Sequence, residues 1–448
     1  MSELPLPQVL ARMDGERLRR YKANLDFYHG MQWQGTARRR ERRLTFNYAR
    51  AVVDKVTSYL MVGLDFAVDP PGEGTGEGRE VLARRTEAAL RLVHEDNNLD
   101  QLDFETELDA AILGDAAFKV TWDEAARRVR VSAPDVQGLF AWWRGDDPAR
   151  IRRVASRYQV SAAEARLLFG VTAGGPLSAP GTVPRERAVS VIEDWTEESF
   201  ALWVDGRLHE QRANPYGLIP FVIYPNLREA KSFWGVSDIT AIEEPARELN
   251  RALSQLSMIL EMSGNPIAVL ENVTETTDIA VVPGAVWEVP PDAKAYLLDL
   301  LAGGGVRLHA EYVDLVYRTL HDLGESPRTP FGENRQGLSG VALNTELDPL
   351  LKKVQRKRLI RGAAYRRRNE LILRLLERFT GESYAPYRSR IVWGPVLPQD
   401  RSRQVADERS LVEAGIHSRR RAADALGVED PEMEFTRWLE EGQRISGR

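Results

Sequence analysis

The segment that most constrains the fold of this chain is residues 233–261, which read FWGVSDITAIEEPARELNRALSQLSMILE. Its apolar residues recur at alternating steps of three and four, as a set comprising Ile239, Ile242, Ala246, Leu249, Leu253, Leu256 and Leu260. This period predicts one apolar stripe along a long helix that packs against another helix. A second stripe of the same spacing comprises Val306, Ala310, Val313, Tyr317 and Leu320. The sequence therefore predicts two long helices that form an out-and-back hairpin.

The boundaries of this hairpin can be predicted from capping and breaking residues. Ser237 suits a helix N-cap, and Pro245 should kink or shorten the first helix. A Gly-Asn-Pro sequence ends that helix, and three short strand candidates follow within residues 267–299. Such a stripe could pack inside a monomeric helical domain. Two helices of similar length around a small β insertion instead favour an assembly in which copies stand side by side.

The composition limits the class of protein. At 448 residues the chain exceeds what one hydrophobic core usually holds, so we expect two or more substructures. It contains no cysteine, which excludes disulfides, thiolate metal sites and a cysteine nucleophile. No signal-peptide core and no uncharged run of membrane-spanning length is present, so we expect neither secretion nor membrane insertion. The net charge of −5 does not suggest a protein that coats DNA.

Outside the hairpin, helical and strand patterns alternate. Helices are predicted in residues 1–65 and 80–114, and a period of two then predicts antiparallel strands in AFKVTWD, ARRVRVSAP, AVSVIEDWTE and FALWVDGRLHE. A helical or irregular insert is predicted at 148–185. With the strand in NPYGLIPFVIYPN, these elements form an α+β domain over residues 8–226. After the hairpin we expect a Gly/Pro-rich loop, a helix to about Phe379, a strand in RIVWGPVLP and a helical module at 400–448.

Positive charge is concentrated in two places. Residues 38–43 read RRRERR, and nine basic residues with no acidic one lie between Lys352 and Arg368. A run of like charge is usually a solvated helix face. Because the nine residues fall on several faces of a helix, some must pair with acidic neighbours, and others could face a neighbouring subunit or DNA. For residues 38–43 a solvated or inter-subunit role is favoured over a DNA site.

The search for catalytic motifs finds almost nothing. GEGTGEGRE at 72–80 contains glycines, but no Gly-Lys-Ser/Thr follows and no strand leads into it, so we interpret it as a linker. The six histidines include no His-x-x-x-His pair, and no Gly-x-Ser-x-Gly elbow occurs. We therefore predict a protein that is not an enzyme and that has no metal site and no cofactor.

Four stretches, in this order, resemble the portal proteins of tailed bacteriophages over nearly the full length of the chain. They are YHGMQ with the basic patch and LTFNYARAVVDKVTSYLMVG; NPYGLIPFVIYPN with FWGVSDITAIEEPARELNRALSQLS; GLSGVALNTELDPLLKKVQRK; and ERSLVEAGIHSRRRAADALGVEDPEMEFTRWLEE. The last stretch contains a Gly-Ile-x-Ser turn between two helices, similar to the C-terminal crown of that family.

The resemblance implies an α+β subunit with a wing, a two-helix stem, a small β-containing clip, a long helix after a tunnel loop and a helical crown. Copies would assemble into a cyclic ring. The implied parts are a wing at 1–236, a first stem helix at 237–263, a clip at 264–304, a second stem helix at 305–324, a tunnel loop at 325–340, a long wing helix and return strand at 341–395, and a crown at 396–448.

The resemblance also implies residue roles. The tunnel loop would face DNA through Arg328, Phe331, Asn334, Arg335 and Gln336, although a Gly/Pro-rich stretch is by itself typical of an ordinary surface loop. The channel wall would carry the acidic residues Glu243, Glu244, Glu248 and Asp314, which would keep it from gripping phosphates. The clip would present Glu271, Asn272, Trp287 and Glu288 to a partner.

The implied function is a dodecameric ring at one capsid vertex, through which DNA is packaged by a docked terminase and later ejected into the tail. The implied partners are other copies of the chain, double-stranded DNA without sequence specificity, the terminase large subunit, the major capsid and scaffolding proteins, and a head-completion or adaptor protein; no membrane is involved. Assembly would occur in the host bacterial cytoplasm, and the ring would reside in the virion. Two alternatives stay open: an enzyme acting on nucleic acid through the basic helix, and a non-channel scaffold or adaptor of similar helical architecture.

Overall fold

The structure is a computed structural model of the 448-residue chain. It describes residues 4–39, 41–70, 77–171, 188–264, 267–272, 292, 294–298, 305–328, 340–397, 401–428 and 431–446.

Helices and strands both contribute to the fold, which confirms the predicted α+β class. The helices of the described residues are α1 Leu6–Arg12, α2 Gly15–Tyr28, α3 Tyr48–Leu60, α4 Glu77–Asp96, α5 Leu99–Leu113, α6 Ala162–Phe169, α7 Glu243–Gly264, α8 Gly305–Leu323, α9 Gly340–Thr380, α10 Arg401–Glu413, α11 Arg419–Ala425 and α12 Pro431–Ser446. The strands are β1 Asp65–Ala67, β2 Asp115–Asp123, β3 Arg128–Ser132, β4 Leu139–Arg144, β5 Asp147–Ser161, β6 Ala188–Thr196, β7 Ser199–Val204, β8 Arg207–Ala213, β9 Phe221–Pro225, β10 Ile267–Glu271, β11 Lys294–Leu298 and β12 Arg390–Val392.

The chain divides into two compact units, which confirms that it holds more than one substructure. The first unit comprises Met1–Met61 and Asp65–Val392, and the second comprises Val62–Leu64 and Trp393–Arg448. The core of the first unit lies where α3, α5 and α9 pack with β2 and β9. At its centre, the ring of Phe118 on β2 lies 5.8 Å from the rings of both Tyr224 on β9 and Tyr365 on α9.

Two antiparallel sheets form most of the β structure of the first unit. Their strand orders are β3-β2-β9 and β4-β5-β6-β7-β8. The predicted strands AFKVTWD, ARRVRVSAP and AVSVIEDWTE correspond to β2, β3 and β6, and FALWVDGRLHE corresponds to β7 and β8. Burial alternates along β7, where Phe200, Leu202 and Val204 are buried, and this is the period-two pattern on which the prediction relied.

The prediction of a helical or irregular insert at 148–185 was wrong for its first half. Residues Asp147–Ser161 form β5, which pairs with β4 on one side and β6 on the other, and β4 was itself not predicted. The arginines of this segment give it a polar sequence pattern, but in the structure the neighbouring strands stabilise their side chains. Arg153 donates a hydrogen bond to Asp194 on β6 at 2.7 Å, and its guanidinium lies 4.9 Å from the centre of the Trp142 ring on β4. Of the second half, α6 confirms a helix, and residues 172–187 lie outside the described residues.

The second unit confirms the predicted C-terminal helical module. Gly415 turns the chain with a φ of +71°, and Ser418 caps α11 by accepting a hydrogen bond from the backbone nitrogen of Arg421 at 3.2 Å. Gly63 approaches Gly394 so closely that a Cβ on Gly63 would lie 2.7 Å from the Gly394 Cα. None of the described side chains of α10, α11 and α12 is buried. The described part of this unit therefore encloses no hydrophobic core of its own.

A buried corner joins α2, β2 and the segment that precedes the hairpin. Tyr21 donates a hydrogen bond to Asp115, which also accepts one from the backbone nitrogen of Gly235 at 2.8 Å. Only glycine fits at 235, because a Cβ there would lie 2.4 Å from the carbonyl oxygen of Gly114. Burial raises the pKa of the Asp115 carboxyl to about 7, although both hydrogen bonds oppose this rise.

Asp115→Asn should flatten the dependence of the unfolding free energy on pH between about pH 4 and about pH 7. The pKa of Asp115 is higher in the folded chain than in the unfolded chain, so its contribution to stability is fully present below about pH 4 and is lost as the pH rises through about 7. Urea unfolding at a series of pH values measures this slope. The exposed control Asp100→Asn should keep the wild-type slope, and an unchanged slope in Asp115→Asn would contradict the assignment.

Candidate functional site: a helical hairpin anchored by buried ion pairs

The two predicted long helices are present as α7 and α8, but α7 begins at Glu243 and not near Ser237. Ser237 is not a helix cap, because its hydroxyl lies 2.9 Å and 2.6 Å from the carbonyl oxygens of Ala111 and Ile112 at the end of α5. Pro245 is the third residue of α7, where its missing amide hydrogen costs no helical hydrogen bond. The proline thus marks the start of a 22-residue helix about 33 Å long and does not interrupt its middle.

The two helices run antiparallel and contact each other along the hairpin. The His309 side chain on α8 lies 2.9 Å from the carbonyl oxygen of Ala252 on α7, and the Tyr312 hydroxyl donates to Glu248 at 2.8 Å. The later residue on α8 therefore contacts the earlier residue on α7, as expected for antiparallel helices. These contacts confirm the predicted out-and-back arrangement.

Burial of the hairpin is confined to one end. The first four stripe residues are buried: Ile239 and Ile242 just before α7, and Ala246 and Leu249 within it. Val316, Leu320 and His321 at the matching end of α8 are also buried. The hairpin also exposes a set of apolar side chains that comprises Met258, Leu260, Leu308, Tyr312, Leu315 and Leu323. The exposed fraction reaches 69% for Leu308 and 60% for Leu315. Large contiguous apolar patches on a protein surface are typical of sites that contact another molecule.

The buried end of the hairpin is held by charged side chains on α9. Four cations lie on one face of α9, and all are buried: Lys353, Lys357, Arg361 and Arg368. Their partners are the buried carboxylates of Asp103 and Glu107 on α5 and of Asp238 just before α7. We call these seven side chains the buried ion-pair ladder.

Arg361 lies at the centre of the ladder. It donates to both carboxylate oxygens of Glu107, at 2.6 Å and 2.9 Å, and to the carbonyl oxygens of Pro225 and Asn226, at 3.1 Å and 2.6 Å. Lys357 donates to Asp238 at 2.5 Å. Buried charges are tolerated only when they are paired and hydrogen-bonded in this way.

The ladder fixes both ends of the hairpin to α9. Lys353 lies 3.2 Å from Asp238, which precedes α7, and donates to the carbonyl oxygen of Gly324, which follows α8, at 2.9 Å. Burial alone would raise the pKa of Asp238, but the charges of Lys353 and Lys357 outweigh it and hold this pKa below its usual range. Asp238 is therefore an anion at any pH near neutrality, and both ends of the hairpin are bonded to α9 through Lys353.

The basic run at 352–368 is thus divided between two environments. The prediction that some of its residues pair with acidic neighbours is confirmed, whereas a solvated helix face is wrong for the four ladder cations. A signal was present in the sequence, because 353, 357 and 361 share one helix face, as do Asp103 and Glu107. Sequence alone could not show that these two faces pack against each other.

The four carboxylates predicted for a channel wall lie on the hairpin in two kinds of setting. Three are paired with an arginine on the same helix, in the pairs Glu243–Arg247, Glu248–Arg251 and Asp314–Arg318. The hydrogen bond from Arg251 holds the pKa of Glu248 below its usual value, against the opposing effect of burial. Glu244 is exposed and forms no ion pair with the described residues.

One residue of the predicted DNA-facing loop belongs to the described part of the chain. Arg328 lies 3.4 Å from Asp314 and 5.7 Å from the ring centre of Tyr317, so its side chain rests against α8. The other predicted loop residues, Phe331, Asn334, Arg335 and Gln336, lie outside the described residues.

Between the two helices, β10 and β11 form an antiparallel pair that confirms two of the three predicted strands. Glu271 lies opposite Lys294 in this pair and accepts a hydrogen bond from Tyr296 at 3.1 Å. Asn272 is exposed just after β10. The middle strand candidate, with Trp287 and Glu288, lies outside the described residues.

Two searches of the described residues were negative. No group of three or more His, Asp or Glu side chains in this part of the chain is placed to hold a metal ion. None of the helices described above combines the length and the apolar character that spanning a bilayer requires.

Comparison with known protein families gives a match over the hairpin and its surroundings. The family model described as "Phage portal protein, SPP1 Gp6-like" matches residues 186–448, which is more than half of the chain. The chain belongs to this phage portal protein family. The portal family is structural and non-enzymatic. The comparison with curated proteins found no match. In this portal protein the matched span holds the hairpin and all of α9, whereas Asp103 and Glu107 of the ladder lie before it.

Arg361→Met should lower the unfolding free energy of this portal protein by about 3–5 kcal/mol, because Glu107 would stay buried without its main partner. Arg366→Met, on the exposed face of the same helix, should change it by less than about 0.5 kcal/mol. Urea denaturation followed by circular dichroism measures both variants. Equal effects of the two substitutions would show that the ladder does not anchor the fold.

Proposed function

We propose that this portal protein forms a dodecameric ring at one vertex of the capsid, and that double-stranded DNA is packaged through its channel and later ejected into the tail. The observation that carries this proposal is the exposed apolar surface on both helices of the anchored hairpin. A terminase motor docked on the ring would supply the energy for translocation. The subunit itself contributes geometry and electrostatics.

The two apolar surfaces of the hairpin suit a ring because they differ from each other. Leu308, Tyr312 and Leu315 recur at steps of four and three and form one stripe on α8. On α7 the exposed apolar residues are Met258 and Leu260, which lie two residues apart and point to different sides of that helix. When the α8 surface of one copy packs on the α7 surface of the next, the contact is heterologous and repeats until a ring closes. Full burial of each leucine would contribute about 1.5–3 kcal/mol.

In this proposal the parts of the subunit take the roles implied by the portal family. Residues 237–263 and 305–324 are the stem, 264–304 the clip, 325–340 the tunnel loop, 1–236 with 341–395 the wing, and 396–448 the crown. The clip surface around Glu271, Asn272, Trp287 and Glu288 binds the terminase large subunit and, after packaging, a head-completion or adaptor protein. The wing contacts the major capsid and scaffolding proteins.

The channel must let DNA slide, so its wall should not hold phosphates tightly. Contacts with phosphates make DNA binding strong and independent of sequence, and an acidic wall reduces them. Among the four wall carboxylates, Glu243, Glu248 and Asp314 are neutralised by arginines on their own helices. Glu244 would therefore supply most of the net negative charge, and the loop that begins near Arg328 would make the transient contacts with DNA.

Leu308→Asp combined with Leu315→Asp should prevent ring formation and leave the subunit folded, because both side chains are exposed in the single chain. Native mass spectrometry measures the number of copies, and circular dichroism checks the fold. A matched control is Leu167→Asp with Leu168→Asp on α6, where the leucines are 85% and 62% exposed. Rings that survive the α8 substitutions would rule out the hairpin as the contact between copies.

Charge reversal of Glu243 and Glu244 to lysine should slow DNA packaging without abolishing the ring, since a positive wall would attract phosphates. Packaging velocity in a reconstituted motor is the measurement. Reversal of Glu197 and Glu198, which are exposed in the turn between β6 and β7, changes the net charge equally and should leave the velocity unchanged. An unchanged velocity in the Glu243 and Glu244 variant would remove this pair from the channel wall.

A further inference from the structure

A groove runs along the outer face of α9, on the side that the buried ladder does not use. It consists of two adjoining cavities of about 560 Å³ each, one between α4, α9 and the 384–390 loop and the other between α9 and the turn at 216–218. Arg367 and Tyr387 line both cavities, so they form one continuous surface. We call this surface the α9 outer groove.

The α9 outer groove carries an excess of positive charge. Its lining includes three carboxylates, Asp69, Glu370 and Glu377, and six arginines, Arg366, Arg367, Arg374, Arg378, Arg388 and Arg390. These arginines come from the second half of α9 and from the segment just after it. The sequence run at 352–368 therefore indicated only part of this surface.

The carboxylates of the groove are already engaged. Glu370 accepts hydrogen bonds from Arg367 at 2.7 Å and from Arg374 at 2.8 Å, and Asp69 accepts one from Arg390 at 3.1 Å. Glu377 accepts one from the backbone nitrogen of Tyr384 at 3.2 Å. These contacts fix the walls of the groove.

Three arginines of the groove have no carboxylate partner among the described residues: Arg366, Arg378 and Arg388. Arg366 donates to the carbonyl oxygen of Gly362 at 3.1 Å, within its own helix. Guanidinium groups that lack an internal anion are available to an external one, and their planar fork suits phosphate oxygens.

The shape of the groove indicates an extended anion. Arg366 and Arg378 are twelve residues apart on α9, which places them about 18 Å apart along the helix axis. One strand of duplex DNA presents a phosphate about every 3.4 Å along its axis, so several phosphates fall within that length. The groove is lined by none of the large, exposed apolar side chains in the described chain. The six arginines of the lining suit DNA, because DNA interfaces are polar and strongly positively charged.

We propose that the α9 outer groove binds the sugar–phosphate backbone of double-stranded DNA, with Arg366, Arg378 and Arg388 each contacting a phosphate. The site lies on α9 and not on the hairpin, so it is distinct from the channel wall and from the tunnel loop. This inference rests on the proposed function in one respect, which is that the protein encounters double-stranded DNA. Binding is independent of base sequence, because phosphate contacts carry no sequence information.

The test compares DNA binding by the full-length protein and by a triple variant, Arg366→Glu with Arg378→Glu and Arg388→Glu. Fluorescence anisotropy of a short labelled duplex is measured over a series of salt concentrations. Each phosphate contact contributes about 0.9 to the slope of log affinity against log salt, so the triple variant should lose between about 2 and 3 from that slope. Its affinity at low salt should fall by at least about tenfold.

The matched control reverses three exposed arginines of the five-stranded sheet, Arg150, Arg152 and Arg207, and changes the net charge by the same amount. It should retain most of the wild-type slope. Equal losses in the two variants would show an effect of total charge and overturn the proposal, as would a wild-type protein that binds no duplex. Loss of contact between copies with unchanged DNA binding would assign the groove to an acidic surface of a second copy. Native mass spectrometry of the same samples reports on ring formation separately, so failure of the ring and failure of the groove are distinguishable.

Discussion

The rest of the structure depends on the buried ion-pair ladder. It brings together four separate segments of the chain: α5, the residues just before α7, the residues just after α8, and α9. Because each charge is buried, loss of any partner would leave an uncompensated ion in the interior. The ladder therefore sets the position of both ends of the hairpin against one long helix. It also explains the division of α9 into an inner face that holds the fold and an outer face that lines the α9 outer groove.

Periodicity predicted the parts of the fold in which one face of a helix or strand is apolar. The two helices of the hairpin and the alternating strand β7 follow from it. It failed at β5, where arginines stabilised by Asp194 and Trp142 hide the strand, and at the start of α7, where Ser237 binds the end of α5. For the site, the sequence placed the wall carboxylates on the hairpin. The arginines that neutralise three of them lie three or four residues away on the same helices, a spacing that the sequence contains but that the prediction did not use. The ladder was missed because it is a contact between segments distant in sequence.

The ladder also joins the span that the family model matches to the part of the chain that precedes it. The family match begins at residue 186, yet Asp103 and Glu107, which hold Arg368 and Arg361, lie well before it. Within the first compact unit, these two parts of the chain are therefore joined by buried ion pairs. A hairpin that is fixed to α9 at its buried end and exposes apolar side chains suits an assembly built from identical contacts. In such an assembly every copy must present its hairpin to its neighbour at the same angle.

The central claim is that hairpins anchored in this way stand side by side around a channel. Negative-stain electron microscopy of the purified full-length protein, with native mass to count the copies, tests it most directly. The account predicts closed rings of twelve copies with a central hole wide enough for duplex DNA. A compact monomer or dimer that cleaves nucleic acid or hydrolyses ATP would contradict it and favour an enzyme built on the same helices.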